Sequence, residues 1–162
     1  MMHHLLRAGA AGVAACLMTA CAAAPGDSAA NPSVPFEVVL SGRHSGVYKQ
    51  YFTVIRDSET FASVWRRATA RQYPQPAPPA IDFSRSMVIA VFLGERRSGG
   101  YQIGVGALTP TSNGLQVTVR ETRPGAGCNT TQALTEPFEI IKTAADAAPV
   151  HFRKLIVTTS CD

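Results

Sequence analysis

From residue 36 onward, apolar positions recur with two periods, one helical and one extended, and the two separate a single helix from a series of strands. Phe61, Val64, Trp65 and Ala68 fall at i, i+3, i+4 and i+7 and form one apolar stripe, so an amphipathic helix is expected there with Trp65 packed onto a sheet. Asp57 or Ser58 can cap its first turn, Glu59 suits the positive end of the helix dipole, and Arg66, Arg67 and Arg71 suit the negative end. Residues 36–40 and 47–55 carry β-branched and aromatic side chains on either side of a Gly- and Ser-bearing break at 41–46, which reads as two strands joined by a turn. Residues 87–93 are apolar without interruption, the pattern of a strand buried on both faces around which the rest assembles.

Alternation is clearest further on. Tyr101, Ile103 and Val105 share one face of a strand at 100–108, and Leu115, Val117 and Val119 share one face of another at 115–121. Asn113-Gly114 between them tolerates positive φ and predicts an antiparallel hairpin. Residues 138–142 and 151–158 complete the strands. The four prolines in residues 73–79 make a stiff connection, since proline fixes φ and lacks an amide donor. Residues 123–137, rich in Pro, Gly and Thr, form a long loop of the kind that is functional or pinned down. The fold class expected is α+β, mainly antiparallel β, with about seven strands in a sandwich-like arrangement and one amphipathic helix.

The first 35 residues are of another kind. Arg7 precedes a short apolar run, residues 8–19, which ends in small residues and is too short to span a membrane, so residues 1–20 read as a signal peptide. The stretch Leu17-Met18-Thr19-Ala20-Cys21 resembles a lipobox, which makes Cys21 the expected lipidation site and the future N-terminus. Cys16 offers a second, more cramped candidate, and cleavage near residues 22–24 without lipidation is the alternative. Several acyl chains on Cys21 would suffice for stable anchoring. Ala22, where aspartate would resemble an inner-membrane retention signal, points to the outer membrane, facing the periplasm. Residues 21–35, rich in Ala, Pro, Ser and Gly, read as a flexible tether before a domain at 36–162.

Exported chains meet an oxidising compartment, so Cys128 and Cys161 are expected to pair, against the alternative of two free thiols or a metal site that lacks further ligands. The formal net charge of +4 is a mild bias that a solvated surface accounts for, and no nucleic-acid partner is expected. His44 and His151 are too scattered for a zinc site, and neither HExxH nor CxxC is present. Gly42-Arg43-His44-Ser45-Gly46 places its serine at the wrong offset for a nucleophile elbow, and Asp82, Glu95 and Glu121 are the only carboxylates near expected strand ends. No catalytic residue, metal or cofactor is expected.

The most unusual local feature is the connection Glu95-Arg96-Arg97-Ser98-Gly99-Gly100-Tyr101. It reads either as a tight turn needing positive φ, with Tyr101 in the core, or as a protruding loop whose Arg96, Arg97, Ser98, Gly99, Gly100 and Tyr101 dock onto a protein partner, arginine and tyrosine being enriched at binding hot spots. Ile81-Asp82-Phe83-Ser84, residues 87–94, Ser98-Gly99-Gly100-Tyr101, Pro124, Thr131-Gln132-Ala133-Leu134-Thr135 and Pro137 together resemble the C-terminal domain of the PrcB family, over about residues 81–142. Arg97, where the family commonly has proline, and the Cys128/Cys161 pair depart from its pattern. The resemblance implies a non-catalytic accessory lipoprotein that binds an envelope protein, an exported protease among the candidates. Inhibition of a protease and an unrecognised envelope enzyme are the alternatives.

Overall fold

The computed structural model describes residues 33–161. The expected signal peptide, Cys21 and most of the expected tether lie outside the described residues. In chain order the elements are β1 (Phe36–Gly42), β2 (Tyr51–Ile55), α1 (Ser58–Ala68), β3 (Ser86–Phe92), β4 (Gln102–Thr111), β5 (Gly114–Pro124), β6 (Phe138–Ala144) and β7 (Val150–Thr159). The domain is mostly β, with one short helix. One sheet has the order β1-β6-β3-β2 and the other β4-β5-β7.

The helix forms where the stripe places it. Asp57 accepts the Thr60 amide at 2.8 Å, satisfying one of the first-turn N–H groups, and Phe61, Val64, Trp65 and Ala68 are buried. Trp65 donates its indole Nε1–H to the carbonyl of Pro76 at 2.9 Å, which ties the proline-rich connection back over the helix. β3 is the strand around which the domain assembles, because its alternate side chains enter two different cores. Val88, Ala90 and Phe92 pack with the helix stripe, Phe138 and Ile140. Met87, Ile89 and Val91 pack with Ile141 and with Ile103, Val105, Leu108, Leu115, Val117 and Val119 of the second sheet. Each fully buried side chain of this size stabilises the fold by about 1.5–3 kcal/mol.

The hairpin at Asn113-Gly114 is present, with Thr111 opposite Gly114 and a register shift between Val105 and Ala107. Four differences from the sequence pattern have physical causes. Residues 47–50 are not strand. Val47 is buried there, but Gly46 donates to Arg67 O at 2.7 Å and Tyr48 O accepts from Glu95 at 3.0 Å, so the segment spends its backbone groups on the helix end and a loop. β1 and β2, expected to be joined by a turn, lie at opposite edges of one sheet with β6 and β3 between them. β7 pairs with β5 in parallel, the one parallel pair among the described residues, since residues 145–149 carry the chain from one sheet to the other rather than turning back. β5 runs on to Pro124, which shortens the loop expected from 123.

Contacts begin before β1. Val34 donates its amide to Leu108 O at 2.8 Å, and Pro35 O accepts from Thr143 Oγ1 at 2.9 Å.

Candidate functional site

The loop after β3 and the loop after β5 are fastened edge to edge. Arg96 and Thr135 exchange both backbone bonds, at 2.7 and 2.9 Å, and Gly99 donates to Thr131 O at 2.9 Å. Thr135 Oγ1 adds a bond to Ser98 O at 3.0 Å. Gly94 and Gly100 bracket the first loop with φ of 77° and 86°. At Gly94 only glycine fits, because a β-carbon would come within 2.8 Å of backbone atoms of Tyr48, Lys49 and Gln50.

The six residues expected to meet a partner divide. Arg97 and Gly100 are exposed, Ser98 and Tyr101 are half-buried and Gly99 is buried against Thr131. Arg96 turns inward, its guanidinium 5.7 Å from the Tyr101 ring centroid, with Nη1 donating to Glu95 O at 2.8 Å. Leu134 on the second loop is 54% exposed, so each of the two fastened loops carries an exposed side chain, Arg97 on the first and Leu134 on the second.

Near the inward-turned arginine lies Glu121 of β5, a carboxylate that is completely buried. Arg123 Nε donates to its Oε1 at 2.6 Å, and Arg96 Nη2 stands 3.9 Å from the same oxygen. Lys154 Nζ lies 3.0 Å from Oε2, an ion-pair distance at an angle that leaves Oε2 without a well-directed hydrogen bond. Burial alone would raise the pKa of Glu121, but the hydrogen bond from Arg123 and the nearby charges of Lys154 and Arg123 outweigh it and hold the carboxyl below its ordinary value. The expected disulfide between Cys128 and Cys161 is formed, closing 33 residues and fastening the second loop to the end of β7.

Residues 87–144 match the family model described as PrcB C-terminal. That stretch runs from β3 to the end of β6 and holds both fastened loops, Glu121 and Cys128. The helix, β7, Lys154 and Cys161 lie outside the PrcB-like stretch. No curated protein and no solved structure matches the chain.

Two further carboxylates of the PrcB-like stretch escaped the sequence reading, because a single glutamate in or near a strand looks like any solvent-facing position. Glu136 is 1% exposed and paired with Arg71 at 3.0 Å. With His44, Arg71 and Leu134 it lines an open cleft of about 350 Å³. Glu139 is half-buried and accepts the Val105 amide at 2.7 Å. Burial raises its pKa, and the Val105 bond offsets this only in part. It lines two adjoining clefts of about 290 and 300 Å³, which share Gln102, Ile103 and Glu139.

Of the other carboxylates and histidines, Asp82 accepts from Ser84 in its own turn, and its pKa is lowered by that side-chain hydrogen bond. His151 is exposed, with Nε2 3.2 Å from Asn113 O. Among the described residues no group of three His, Cys, Asp or Glu is placed to hold a metal, and no helix is long and apolar enough to cross a membrane.

Proposed function

We propose that this chain is a lipid-anchored, non-catalytic domain of the cell envelope, which holds a protein partner and serves as an accessory or assembly subunit of an exported protease. The observation that carries the reading is the fastening of residues 95–101 to residues 131–135, which makes one preorganised unit of two loops and leaves Arg97 on the first and Leu134 on the second exposed. A surface ordered before binding has little conformational entropy left to lose, and arginine is a frequent hot-spot residue. The PrcB-like stretch containing both loops supports the link to a protease complex. Residues 1–20 are the signal peptide, Cys21 is the lipidated residue in the outer membrane, residues 21–35 are the tether, its last two residues already fastened to the domain, and the two sheets, which share one core cluster, pack in a sandwich-like manner.

In-cell crosslinking and pull-down of the full chain, with mass spectrometry, tests this. One exported protease or its complex should come down at near-equal amounts, and Arg97→Glu combined with Leu134→Asp should lose it. Recovery of no stable partner, or recovery indifferent to both substitutions, overturns the reading. Cys21→Ser should in turn release the chain from the membrane fraction, and its retention there would end the lipid-anchor assignment.

A second reading, an envelope hydrolase, draws on the cleft that His44 shares with Glu136. Arg71 bonds one oxygen of that carboxylate, and no hydrogen bond joins His44 to Glu136, so a base activated by Glu136 would require His44 to move onto its other oxygen. Loss of a measured hydrolytic activity on His44→Ala would favour it.

A further inference from the structure

The two clefts around Glu139 follow the unpaired edge of β4. β4 pairs with β5 on one side only. Because the Val105 amide points to Glu139 and the register is regular from Gln102 to Val105, the amide and carbonyl of Ile103 point to the same free side, where no backbone group of the described residues meets them. The opposite wall is built by Ser41, Gly42 and Arg43 at the end of β1 and by Pro137, Phe138 and Glu139. Unsatisfied strand edges are templates for pairing and are ordinarily covered or blunted. Here one side chain does the blunting, and residue 104 is built to admit it, since a β-carbon there would stand 3.0 Å from Glu139 Oε1 and 3.1 Å from Oε2.

The Glu139 carboxylate accepts a single amide, and none of the ion pairs of the described residues includes it. Partly buried charge without a counter-charge is unfavourable, so a cation delivered from outside would complete the site. Arg43 lines one cleft and Arg120 the other, so repulsion would confine a guest's positive charge to the position over Glu139.

We propose that the free edge of β4 is a docking groove for an extended segment of a partner protein, which adds to the sheet as a strand at Ile103 and seats a lysine or arginine side chain against Glu139. The main chain of the guest supplies affinity and its one basic side chain supplies register, the usual division of labour when a peptide joins a sheet edge. The proposal rests on the protein-binding reading but uses an adjoining surface, which meets the first loop at Tyr101 and is centred on Glu139 instead of Arg97 and Leu134. Peptide binding can therefore fail while Arg97-dependent capture succeeds, and the reverse.

A phage-displayed library of random dodecapeptides, panned on the purified full chain, tests it. Enriched peptides should carry a basic residue within an alternating extended pattern and should shift the backbone amide resonances of Ile103 and Val105 on titration. Glu139→Gln, which keeps an acceptor for Val105, should weaken them about tenfold, the scale of one charge-assisted hydrogen bond. N-methylation of alternate amides in the peptide should abolish binding with the protein unaltered. No enrichment, resonance shifts confined to other residues, or equal affinity for Glu139→Gln would overturn the proposal.

Discussion

Glu121 and Arg123 lie two residues apart on one strand, and the 2.6 Å bond between them joins a fully buried carboxylate to a guanidinium that still reaches solvent. Arg96 and Lys154 gather at the same carboxylate, so one buried negative charge serves three cations drawn from a loop and two strands. Glu121→Ala would leave those cations facing one another. We expect a loss of about 2 kcal/mol, less than for a sealed ion pair because solvent screens the three partners. Urea denaturation measures it, and an unchanged midpoint would show that the cluster contributes nothing.

The pKa of Glu121 is lowered in the fold, so its contribution is present above the ordinary carboxylate range and is lost as pH falls through the folded-state value. Wild type should therefore lose more stability on acidification than Glu121→Gln. Identical acid slopes for the two proteins would contradict this.

Glu139 carries the opposite sign. Its pKa is raised by burial, so its favourable contribution is full below the unfolded carboxylate's pKa and disappears as pH rises through the folded one. Glu139→Gln should melt above wild type at neutral pH, with the gap narrowing as the solution is acidified. A residue kept against stability in this way is common where binding is selected. Thermal melts at several pH values decide the point, and a variant less stable than wild type at pH 7 would refute it.

Replacing Cys128 and Cys161 with serine opens a closed stretch of 33 residues. The chain-entropy account puts the loss near 4 kcal/mol. The thermal midpoint should drop by several degrees, as it should for wild type under reducing agent. No change in either case would mean that the fastening of the loop to β7 adds nothing to stability.

Gly94→Ala should cost about 3 kcal/mol, combining positive φ with overlap against backbone that has no room to yield. Glu95 begins the fastened loop, so amide exchange should also quicken at Arg96 and Gly99. A variant as stable as wild type would mean that the loop entry can be rebuilt without glycine.

Local patterns carried the elements well. The stripe from Phe61 to Ala68, the unbroken run around Ile89 and the Asn113-Gly114 turn each depend on neighbours in sequence, and all three appear as the residues imply. Pairing partners distant in sequence carry no such mark. Nothing in the period of Val117 or Val119 announces that β7 will lie parallel beside them, and nothing in Phe36 or Phe52 places their strands at opposite edges. At the site, the glycines and arginines of residues 95–101 stood out by composition, but the inward turn of Arg96 depends on Glu121, Thr135 and Tyr101 arriving from elsewhere. The role of Glu139 was hidden for the same reason, since its partner is a backbone amide on another sheet.

The bond from Val34 to Leu108 sets a direction in space. From there the chain runs back along β4 until Ser41, Gly42 and Arg43 share a cleft with Tyr101, seven strand positions and about 23 Å from Leu108. The polypeptide therefore departs from one pole of the domain, and Arg97 and Leu134 sit toward the other. Whatever is joined to the chain upstream of Val34 is therefore delivered to the Leu108 end of the domain, and the cleft of Tyr101 and Glu139 lies at the other.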